Sequence, residues 1–275
     1  MRSLTFGDKT LIMGVINVTS DSFYADSRVL NEEKAIERGL FFIESGADIV
    51  DIGGMSTRPG SGAIDIEKEL KRVIPVVKGI RSRSDVLLSV DTYNPEVAEQ
   101  AVAQGADIIN DISGLSFNNG LEEVVSHKGV YIILMHMRGK PADMQKRAVY
   151  NDVINEVLEE LDISIEKALG AGIDKEKIIL DPGIGFAKLA EHNLTLLRNL
   201  PFLKEKGYPV IVGLSRKSFL GAFTGLEPEE RLIPTVAANA ISIFQGVDII
   251  RVHDVKEAVI TAQISDAIRN AQTRI

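Results

Sequence analysis

Polar and charged side chains follow short apolar runs at intervals along the whole chain. They are Asn17, Asp51, Asp91, Asn110, His136, Asp181, the pair Arg216–Lys217, and Arg251 with His253. Carboxylate and amide oxygens accept hydrogen bonds from N–H donors, whereas arginine, lysine and histidine bind anions. If these side chains converge, they predict a site for a planar heterocycle with N–H donors that also carries negative charge, most simply as phosphate.

The apolar runs that precede these residues predict the fold. A continuous apolar run is typical of a strand buried on both faces, as in a parallel sheet covered by helices. Amphipathic segments with helical spacing lie between the runs, such as Ile36, Leu40 and Ile43. We therefore predict an α/β fold, a (β/α)8 TIM barrel with its reactive groups at the strand ends. The 275 residues form one domain in this prediction, with 1–10 as a short lead-in.

The turns between elements also differ at the two ends of the predicted barrel. Three helix-to-strand connections share one pattern, Gly46-Ala47-Asp48, Gly105-Ala106-Asp107 and Gly246-Val247-Asp248, and Gly172-Ile173-Asp174 is a looser copy. Glycine in the left-handed region closes a helix, so the chain turns directly into the next strand. The connections after Asn17, Asp51 and His136 are long, which indicates that this second end carries the function.

Charge separates the strand ends into two groups. The expected cations are Arg216, Lys217, Arg251 and His253, with Arg58 in a long loop. They predict a local positive pocket near the last two strands, where barrels often bind phosphate. Asp91 and Asp181 would accept the N–H groups of the ligand. Simpler interpretations stay open at single positions. Asp91 or Asp181 could cap the helix that follows it. His136 could form a structural hydrogen bond, and Met135 could belong to the core.

Composition excludes several other classes of function. The chain has no cysteine, which excludes disulfides, thiolate catalysis and cysteine-ligated metals, and which fits a cytoplasmic protein. A net charge of −8 argues against nucleic acid or an anionic membrane as the main partner. The apolar run over 11–18 is too short to span a bilayer and lacks a cleavage pattern, so we expect neither a membrane span nor a signal peptide.

Several separated motifs resemble the dihydropteroate synthases, the folate-pathway members of the pterin-binding barrel family. In chain order they are Asn17-Val18-Thr19 with Asp21-Ser22-Phe23, Ser56-Thr57-Arg58-Pro59-Gly60, Val90-Asp91-Thr92, Ile109-Asn110-Asp111, Met135-His136-Met137-Arg138-Gly139, Asp181-Pro182-Gly183-Ile184-Gly185-Phe186, Ser215-Arg216-Lys217-Ser218 and Arg251-Val252-His253-Asp254-Val255. The resemblance runs from about Leu11 to Ile268. It implies condensation of dihydropterin pyrophosphate with p-aminobenzoate, giving dihydropteroate and pyrophosphate.

The resemblance also implies roles for individual residues. The pterin ring would contact Asp91, Asn110, Asp181 and Lys217, with Ile112 and Met135 as further substrate contacts. The diphosphate would contact Asn17, Arg58, Arg251 and His253, and p-aminobenzoate would contact Thr57, Pro59, Phe186, Lys217 and Ser218. Asp91, Asp181 and Lys217 would be catalytic, and Asn17 would lie near a Mg²⁺ cofactor. A homodimer through outer helices of the C-terminal half is implied as well.

The chain departs from the family pattern at five positions. Ala25 stands where the family has its second loop aspartate, with Asp26 one place later, and Met55 replaces a glutamate. Ala187 and Pro234 replace glycines, and we expect these two changes and Met55 to be tolerated.

Three rival functions fit part of the pattern. A methyltetrahydrofolate-dependent methyltransferase shares the pterin pocket but needs no pyrophosphate pocket. A sugar-phosphate aldolase would use Lys217 as a Schiff-base lysine. A non-catalytic pterin-binding paralogue would bind the pterin pyrophosphate without releasing pyrophosphate.

Overall fold

Eight parallel strands form a barrel in the computed structural model, which describes residues 2–18, 32–55 and 65–271. The strands are β1 Leu11–Asn17, β2 Ile49–Gly53, β3 Leu87–Asp91, β4 Ile108–Asp111, β5 Tyr131–Met135, β6 Ile178–Asp181, β7 Ile211–Gly213 and β8 Ile249–Val252. Each predicted apolar run is one of these strands, and the predicted fold class is confirmed. The single-domain boundaries of 1–275 stay a prediction.

Helices cover the outside of the barrel and connect its strands. They are α1 Glu32–Glu44, α2 Ile66–Arg81, α3 Pro95–Ala103, α4 Leu121–Lys128, α5 Val153–Gly170, α6 Ala190–Arg198, α7 Leu200–Lys204, α8 Ser218–Thr224, α9 Leu232–Phe244 and α10 Val255–Arg269. In the described parts of the chain, no helix combines the length and the apolar character that crossing a membrane requires.

The barrel closes around the order β6-β5-β4-β3-β2-β1-β8-β7. Its last seam, between β6 and β7, is a single parallel bridge of Leu180 with Val210, and the Leu180 N–H donates to Pro209 O at 2.9 Å. Alternate strand residues face inward, because side chains along a strand alternate between its two faces. The interior core consists of Leu11, Met13, Ile49, Ile108, Tyr131, Ile133, Ile179, Ile211 and Ile249.

Side chains of the lead-in fill the amino-terminal end of the barrel. Leu4 and Phe6 of the lead-in pack against the interior core, and the Leu4 N–H donates to the Tyr131 hydroxyl at 3.0 Å. The predicted glycine turns lie at this end, with positive φ values of 97° at Gly46, 106° at Gly105 and 95° at Gly246. Glycine adopts this region without a steric penalty, so the helix ends as the sequence pattern predicts.

Each of these turns ends in an aspartate that joins two strands. Asp48 accepts the Ile12 N–H at 2.9 Å, Asp107 the Leu88 N–H at 3.0 Å, and Asp248 the Val210 N–H at 2.7 Å. The same three carboxylates pair with Lys9, Arg81 and Lys204, respectively. These three acids are therefore all paired, as expected of the end that provides stability.

Candidate active site

Strand register places three of the predicted positions, with Gly53 among them, in one row at the carboxyl end of the barrel. Asn17 pairs with Gly53, Gly53 with Asp91, and Asp91 with Asn110. A Cβ atom on Gly53 would lie 3.7 Å from both Asn17 Oδ1 and Asp91 Oδ2. The missing side chain thus leaves space between an amide oxygen and a carboxylate, and a ligand can enter there.

A buried arginine joins the acids beneath this row. Arg251 donates from Nε to Asp51 Oδ2 at 2.8 Å and from Nη2 to Asp91 Oδ2 at 3.0 Å. Asn110 Nδ2 donates to the same Asp51 oxygen at 3.2 Å. Asp51 received no site role from the sequence, yet it holds both Arg251 and Asn110 in place. Within the described residues these bonds use Nε and Nη2 of Arg251, so its Nη1 edge is the side open to an anion.

Two acid oxygens in this cluster have no protein partner among the described residues. They are Asp51 Oδ1 and Asp91 Oδ1, and both are buried. A buried acceptor without a donor costs about 1–3 kcal/mol, so such atoms point to a ligand that supplies N–H groups. Burial raises the pKa of Asp91 to about 7, with Arg251 opposing the rise and Asp51 adding to it.

A second acid and its lysine lie across the barrel mouth. Asp181 Oδ1 accepts the Gly183 N–H at 2.7 Å, and Lys217 Nζ donates to the Ile184 carbonyl oxygen. Burial raises the pKa of Asp181, while Lys217 acts in the opposite direction. Burial also lowers the pKa of Lys217 to about 8, with Asp181 opposing the change. The Lys217 ammonium lies 4.7 Å from the centre of the Phe186 ring, a cation–π contact.

An apolar wall borders the mouth between these two charged groups. Ile112 and Met135, the further predicted substrate contacts, are each 3 % exposed. They belong to one cluster with Met137, Met144 and Ala187, against which Tyr93, Phe117 and Phe186 pack. Apolar walls around a few fixed polar groups are typical of small-molecule sites.

The expectation of four cations near the last strands is wrong in part. Arg216 forms two 2.9 Å bonds to Asp254 and donates to two backbone carbonyls, so its charge is neutralised outside the mouth. Burial lowers the pKa of His253 to about 4, and Arg251 lowers it further, so this imidazole is neutral at neutral pH. His253 Nδ1 lies 3.1 Å from Ser215 Oγ, which orients the ring. Of the four cations expected on the last two strands, Lys217 and Arg251 are the two that remain charged at the mouth.

The other predicted positions divide into two groups. Ser218 begins α8 and is exposed beside Lys217. Thr57, Arg58 and Pro59 lie outside the described residues, as do Ala25 and Asp26 of the first loop.

Sequence reasoning missed a buried lysine behind Asp181. Lys188 is 3 % exposed, and its Nζ lies 2.8 Å from Nδ1 of the buried His136. No strand, repeat or apolar period marks Lys188 in the sequence, since it follows an irregular glycine-rich turn. His136 takes the structural interpretation that the sequence left open.

The predicted Mg²⁺ has few protein ligands in this region. The described residues contain no group of three or more acidic or histidine side chains placed to hold a metal ion. Mg²⁺, however, commonly keeps several waters and binds through one or two protein oxygens together with substrate phosphates. Asn17 Oδ1 at the mouth fits that arrangement, and a cage made of protein ligands alone does not.

Comparison with known proteins agrees with this geometry. The model of the pterin binding enzyme family matches residues 13–253. A dihydropteroate synthase from Synechocystis is 43% identical over 264 residues, which cover 96% of this chain and 91% of the relative. The chain belongs to the dihydropteroate synthase family.

Solved structures of the family share the fold over nearly the full length. The Yersinia pestis dihydropteroate synthase, in complex with a sulfonamide drug, superposes with a TM-score of 0.94 at 40% identity, covering 98% of both chains. The Xanthomonas albilineans enzyme in complex with 7,8-dihydropteroate gives 0.85 at 39% identity, covering 96% of this chain and 95% of that one. The same enzyme with 4-aminobenzoic acid gives 0.89 at 42% identity, with the same two coverages.

Three departures from the family pattern have a defined place in the structure. Ala187 is fully buried with φ 48°, in the left-handed region that its family glycine adopts freely. Pro234 is the third residue of α9, where the backbone N–H has no intrahelical partner to lose. Met55 is buried two residues after the end of β2.

Proposed function

We propose that the barrel mouth condenses 6-hydroxymethyl-7,8-dihydropterin pyrophosphate with p-aminobenzoate, giving 7,8-dihydropteroate and pyrophosphate. The observation that carries the proposal is the pair of buried oxygens, Asp51 Oδ1 and Asp91 Oδ1, that lack a protein donor among the described residues. A pterin supplies ring N–H and amino donors in one plane, which suits buried acceptors beside an apolar wall. Family membership and the dihydropteroate complex of a relative support the same reaction.

The pterin ring is assigned to the acids and amide of the middle strands. Asp91 would accept ring N–H groups through Oδ1, with Asn110 beside it in register. Asp181 would accept on the opposite side, and Lys217 would donate to a ring acceptor. Ile112 and Met135 would contact the ring faces. Arg251, bound to Asp51 and Asp91, fixes the position of these acceptors before the ligand arrives.

The reaction needs no protein nucleophile. The C–O bond between the pterin methylene and the diphosphate breaks, and the diphosphate takes the electron pair. The pterin ring delocalises the positive charge, which Asp91 and Asp181 stabilise as preformed negative groups. The amine of p-aminobenzoate then forms the new C–N bond and loses its proton to solvent. Holding both substrates in one orientation supplies much of the rate.

The leaving group is assigned to the first and last strands. Arg251 would bind the diphosphate through its Nη1 edge, and neutral His253, held by Ser215, would donate to it from Nε2. Asn17 would hold Mg²⁺ by its side-chain oxygen together with diphosphate and water. When bound, the ion neutralises charge on the departing diphosphate. Arg58 is assigned to the diphosphate by the family motif.

The second substrate is assigned to the edge of the mouth near Phe186. The Phe186 ring and the Lys217 ammonium lie together there, and Ser218 is exposed next to them. The family motif adds Thr57 and Pro59 to this site. An aromatic ring beside a cation suits an aromatic carboxylate.

A coupled pyrophosphate-release assay tests the reaction. Pyrophosphate should appear only when both substrates are present, and faster with Mg²⁺ than with a chelator. Release without p-aminobenzoate, or binding of the pterin pyrophosphate without release, would contradict the proposal, and the second result would favour the non-catalytic paralogue. Borohydride trapping of a sugar phosphate on Lys217 would instead support the aldolase.

We further infer a homodimer through α9 and α10. These neighbouring helices expose six large apolar side chains, each 58–79 % accessible: Ile233, Ile241, Phe244, Ile260, Ile264 and Ile268. In α10 they recur at every fourth residue, so they form one stripe. An apolar patch of this extent on a charged protein is typical of an interface between subunits.

Light scattering of an Ile264→Glu variant tests the dimer. A charge in a buried apolar interface is strongly unfavourable, so the variant should be a monomer where the wild type is a dimer. The control is Ile163→Glu, because Ile163 is 67 % exposed on α5, away from the stripe. A wild type with the mass of one chain would contradict the inference.

A cytoplasmic location is the third part of this proposal. The absence of cysteine from the sequence supports it, since a reducing compartment makes disulfides unnecessary. Fractionation of cells that express the natural gene tests it, and enrichment with membranes or secreted protein would contradict it.

A further inference from the structure

Lys188 lies behind the active site, between the ends of two strands. It follows the turn that leaves β6 at Asp181, and it is 3 % exposed. A buried lysine is rare unless its charge has partners. The proposed chemistry does not use Lys188, so its burial needs another explanation.

The Lys188 ammonium has one acceptor for each of its three N–H donors. Nζ lies 2.8 Å from His136 Nδ1, 3.0 Å from Phe186 O and 3.5 Å from His136 O. Three donors with three acceptors indicate the protonated form. Because Nδ1 of His136 accepts from Lys188, its proton is on Nε2, which donates to Glu160 Oε2 at 2.9 Å.

The chain of contacts continues to the surface. Arg138 donates to Glu160 Oε1 at 2.9 Å and to Glu156 Oε2 at 2.7 Å. Burial lowers the pKa of His136 to about 4, with Lys188 lowering it further, so the imidazole is a neutral bridge. Charges therefore alternate outward along the chain, positive at Lys188, negative at Glu160 and positive at Arg138, which stabilises the buried ammonium.

The turn over Lys188 packs tightly against β5. Gly183 has φ 67°, and a Cβ atom there would lie 1.9 Å from His136 O. Gly185 and Ala187 also have positive φ, so three of the five residues over 183–187 lie in the left-handed region. The two glycines adopt this region without strain, but Ala187 does so only where its surroundings hold it. Lys188 supplies that hold, because its ammonium bonds both Phe186 O and the end of β5.

We propose that Lys188 is a positioning residue that fixes the Phe186 loop and, from behind, stabilises the ionised Asp181 carboxylate that receives the pterin. Asp181 and Lys188 meet at Gly183, because the Gly183 N–H donates to Asp181 Oδ1 at 2.7 Å and a Cβ atom on Gly183 would lie 3.4 Å from Lys188 Nζ. Lys188 and Lys217 both favour the ionised form of Asp181, as does Arg251. Burial lowers the pKa of Lys188 to about 7 while Asp181 and Glu160 oppose this, so its charge depends on these neighbours. The inference rests on the proposed function of the site.

The experiment compares Lys188→Met with wild type in steady-state assays from pH 6 to 9. Methionine keeps the length of the side chain and removes its charge. We expect kcat/KM for the pterin pyrophosphate to fall about tenfold at pH 6.5, where Lys188 of the wild type is charged, because removing that charge raises the pKa of Asp181 and a shift of one unit changes a proton equilibrium by this factor. The loss should shrink to less than about threefold at pH 8.5, where Lys188 of the wild type is itself largely uncharged.

Two further variants separate positioning from stability. Lys204→Met removes a lysine that pairs with Asp248 at the opposite end of the barrel, and it should leave the pH profile unchanged. Glu160→Gln alters the half-exposed end of the chain of contacts, so it should fold even if Lys188→Met does not. It should cause a smaller loss of roughly threefold at low pH, since the charge that favours the Lys188 ammonium is gone. A loss in kcat/KM that is equal at all pH values would overturn the inference.

A direct titration keeps this test independent of the proposed reaction. The carboxyl carbon of Asp181 can be followed by ¹³C NMR in aspartate-labelled protein, with Asp181→Asn giving the assignment. Its pKa should be higher in Lys188→Met than in wild type. If wild type released no pyrophosphate, the proposed function would fail while this titration still decided the role of Lys188. An unchanged titration in an active enzyme would reject that role alone.

Discussion

Aspartates at the two ends of the barrel have opposite surroundings. Asp48, Asp107 and Asp248 at the amino-terminal end each accept a strand N–H and pair with a cation. At the carboxyl-terminal end, Asp51 and Asp91 share one arginine and keep an oxygen without a partner in the described part of the chain. The acids at the amino-terminal end stabilise the fold, whereas Asp51 and Asp91 each keep one hydrogen-bond acceptor available for a ligand.

The largest loss of turnover is expected when an acid with an unpartnered oxygen at the carboxyl-terminal end is replaced. Asp91→Asn should lower turnover by roughly 100-fold or more, because a preformed charge that stabilises the transition state is removed. The pyrophosphate-release assay measures this. Lys217→Ala, the corresponding change across the mouth, should cause a similar loss. Near-wild-type rates in both variants would show that the mouth is not the site.

The contribution of Asp91 to stability should respond to pH in the opposite sense to that of an ordinary salt bridge. Burial raises the pKa of Asp91 to about 7 in the folded protein, above its value in the unfolded chain. The folded state thus binds the proton more tightly, and stability from this group is lost as pH rises from about 4 to about 7. Asparagine removes that loss, so urea denaturation should show a variant at least as stable as wild type at pH 8.

Asp107→Asn is the matched substitution at the amino-terminal end of the barrel. Asp107 is buried and bonds both the Leu88 N–H and Arg81, so Asp107→Asn leaves Arg81 without its charge partner. We expect a loss of about 2 kcal/mol in the free energy of unfolding, from breaking a buried pair. Turnover at 25 °C should stay within about twofold of wild type, because this end lies away from the chemistry. A large loss of turnover in folded protein would contradict the division of roles.

A smaller effect is expected at the anion contact. Arg251→Ala should raise the KM for the pterin pyrophosphate by about tenfold, since it removes an anion contact and the cation that holds Asp51 and Asp91. The KM for p-aminobenzoate should change less. An unchanged KM for the pterin substrate would count against this assignment.

The smallest effect is a pH profile with two limbs. Asp91 accepts N–H groups most strongly when it is ionised, and Lys217 donates most strongly as the ammonium. Their pKa values of about 7 and about 8 predict that kcat/KM for the pterin substrate rises through the first and falls above the second. The two limbs belong to the coupled site as a whole. A constant value from pH 6 to 9 would contradict the assignment.

The sequence predicted most of the fold because each strand carries its own signal. Apolar runs that end in Asp91, Asn110 or Asp181 mark both the strand and the point where it opens into the mouth. The glycine turns were equally readable, because a helix that must turn at once into a strand needs a left-handed residue. These signals are local, so one sequence is enough to find them.

Features that depend on distant partners were not readable. Arg216 resembles Lys217 in the sequence, but its charge is neutralised by Asp254, which lies on the next strand-to-helix turn. Lys188 resembles any surface lysine, although Asp181 and His136 enclose it. The sequence places Asp51 among the strand-end residues, but its ion pair with Arg251 is visible only in the structure. Burial and charge pairing arise from the packing of the whole chain, and residue type alone does not encode them.

Among the described strands, β6 and β7 have the weakest pairing in the barrel. β6 and β7 share one bridge, Leu180 with Val210, whereas the other neighbouring strands share three to five paired positions. Asp181 ends one of these strands and Lys217 follows the other, so the gap between them widens when the seam separates. Amide hydrogen exchange should therefore be faster in β6 and β7 than in the other strands of the barrel. A bound pterin that contacts both Asp181 and Lys217 should slow this exchange.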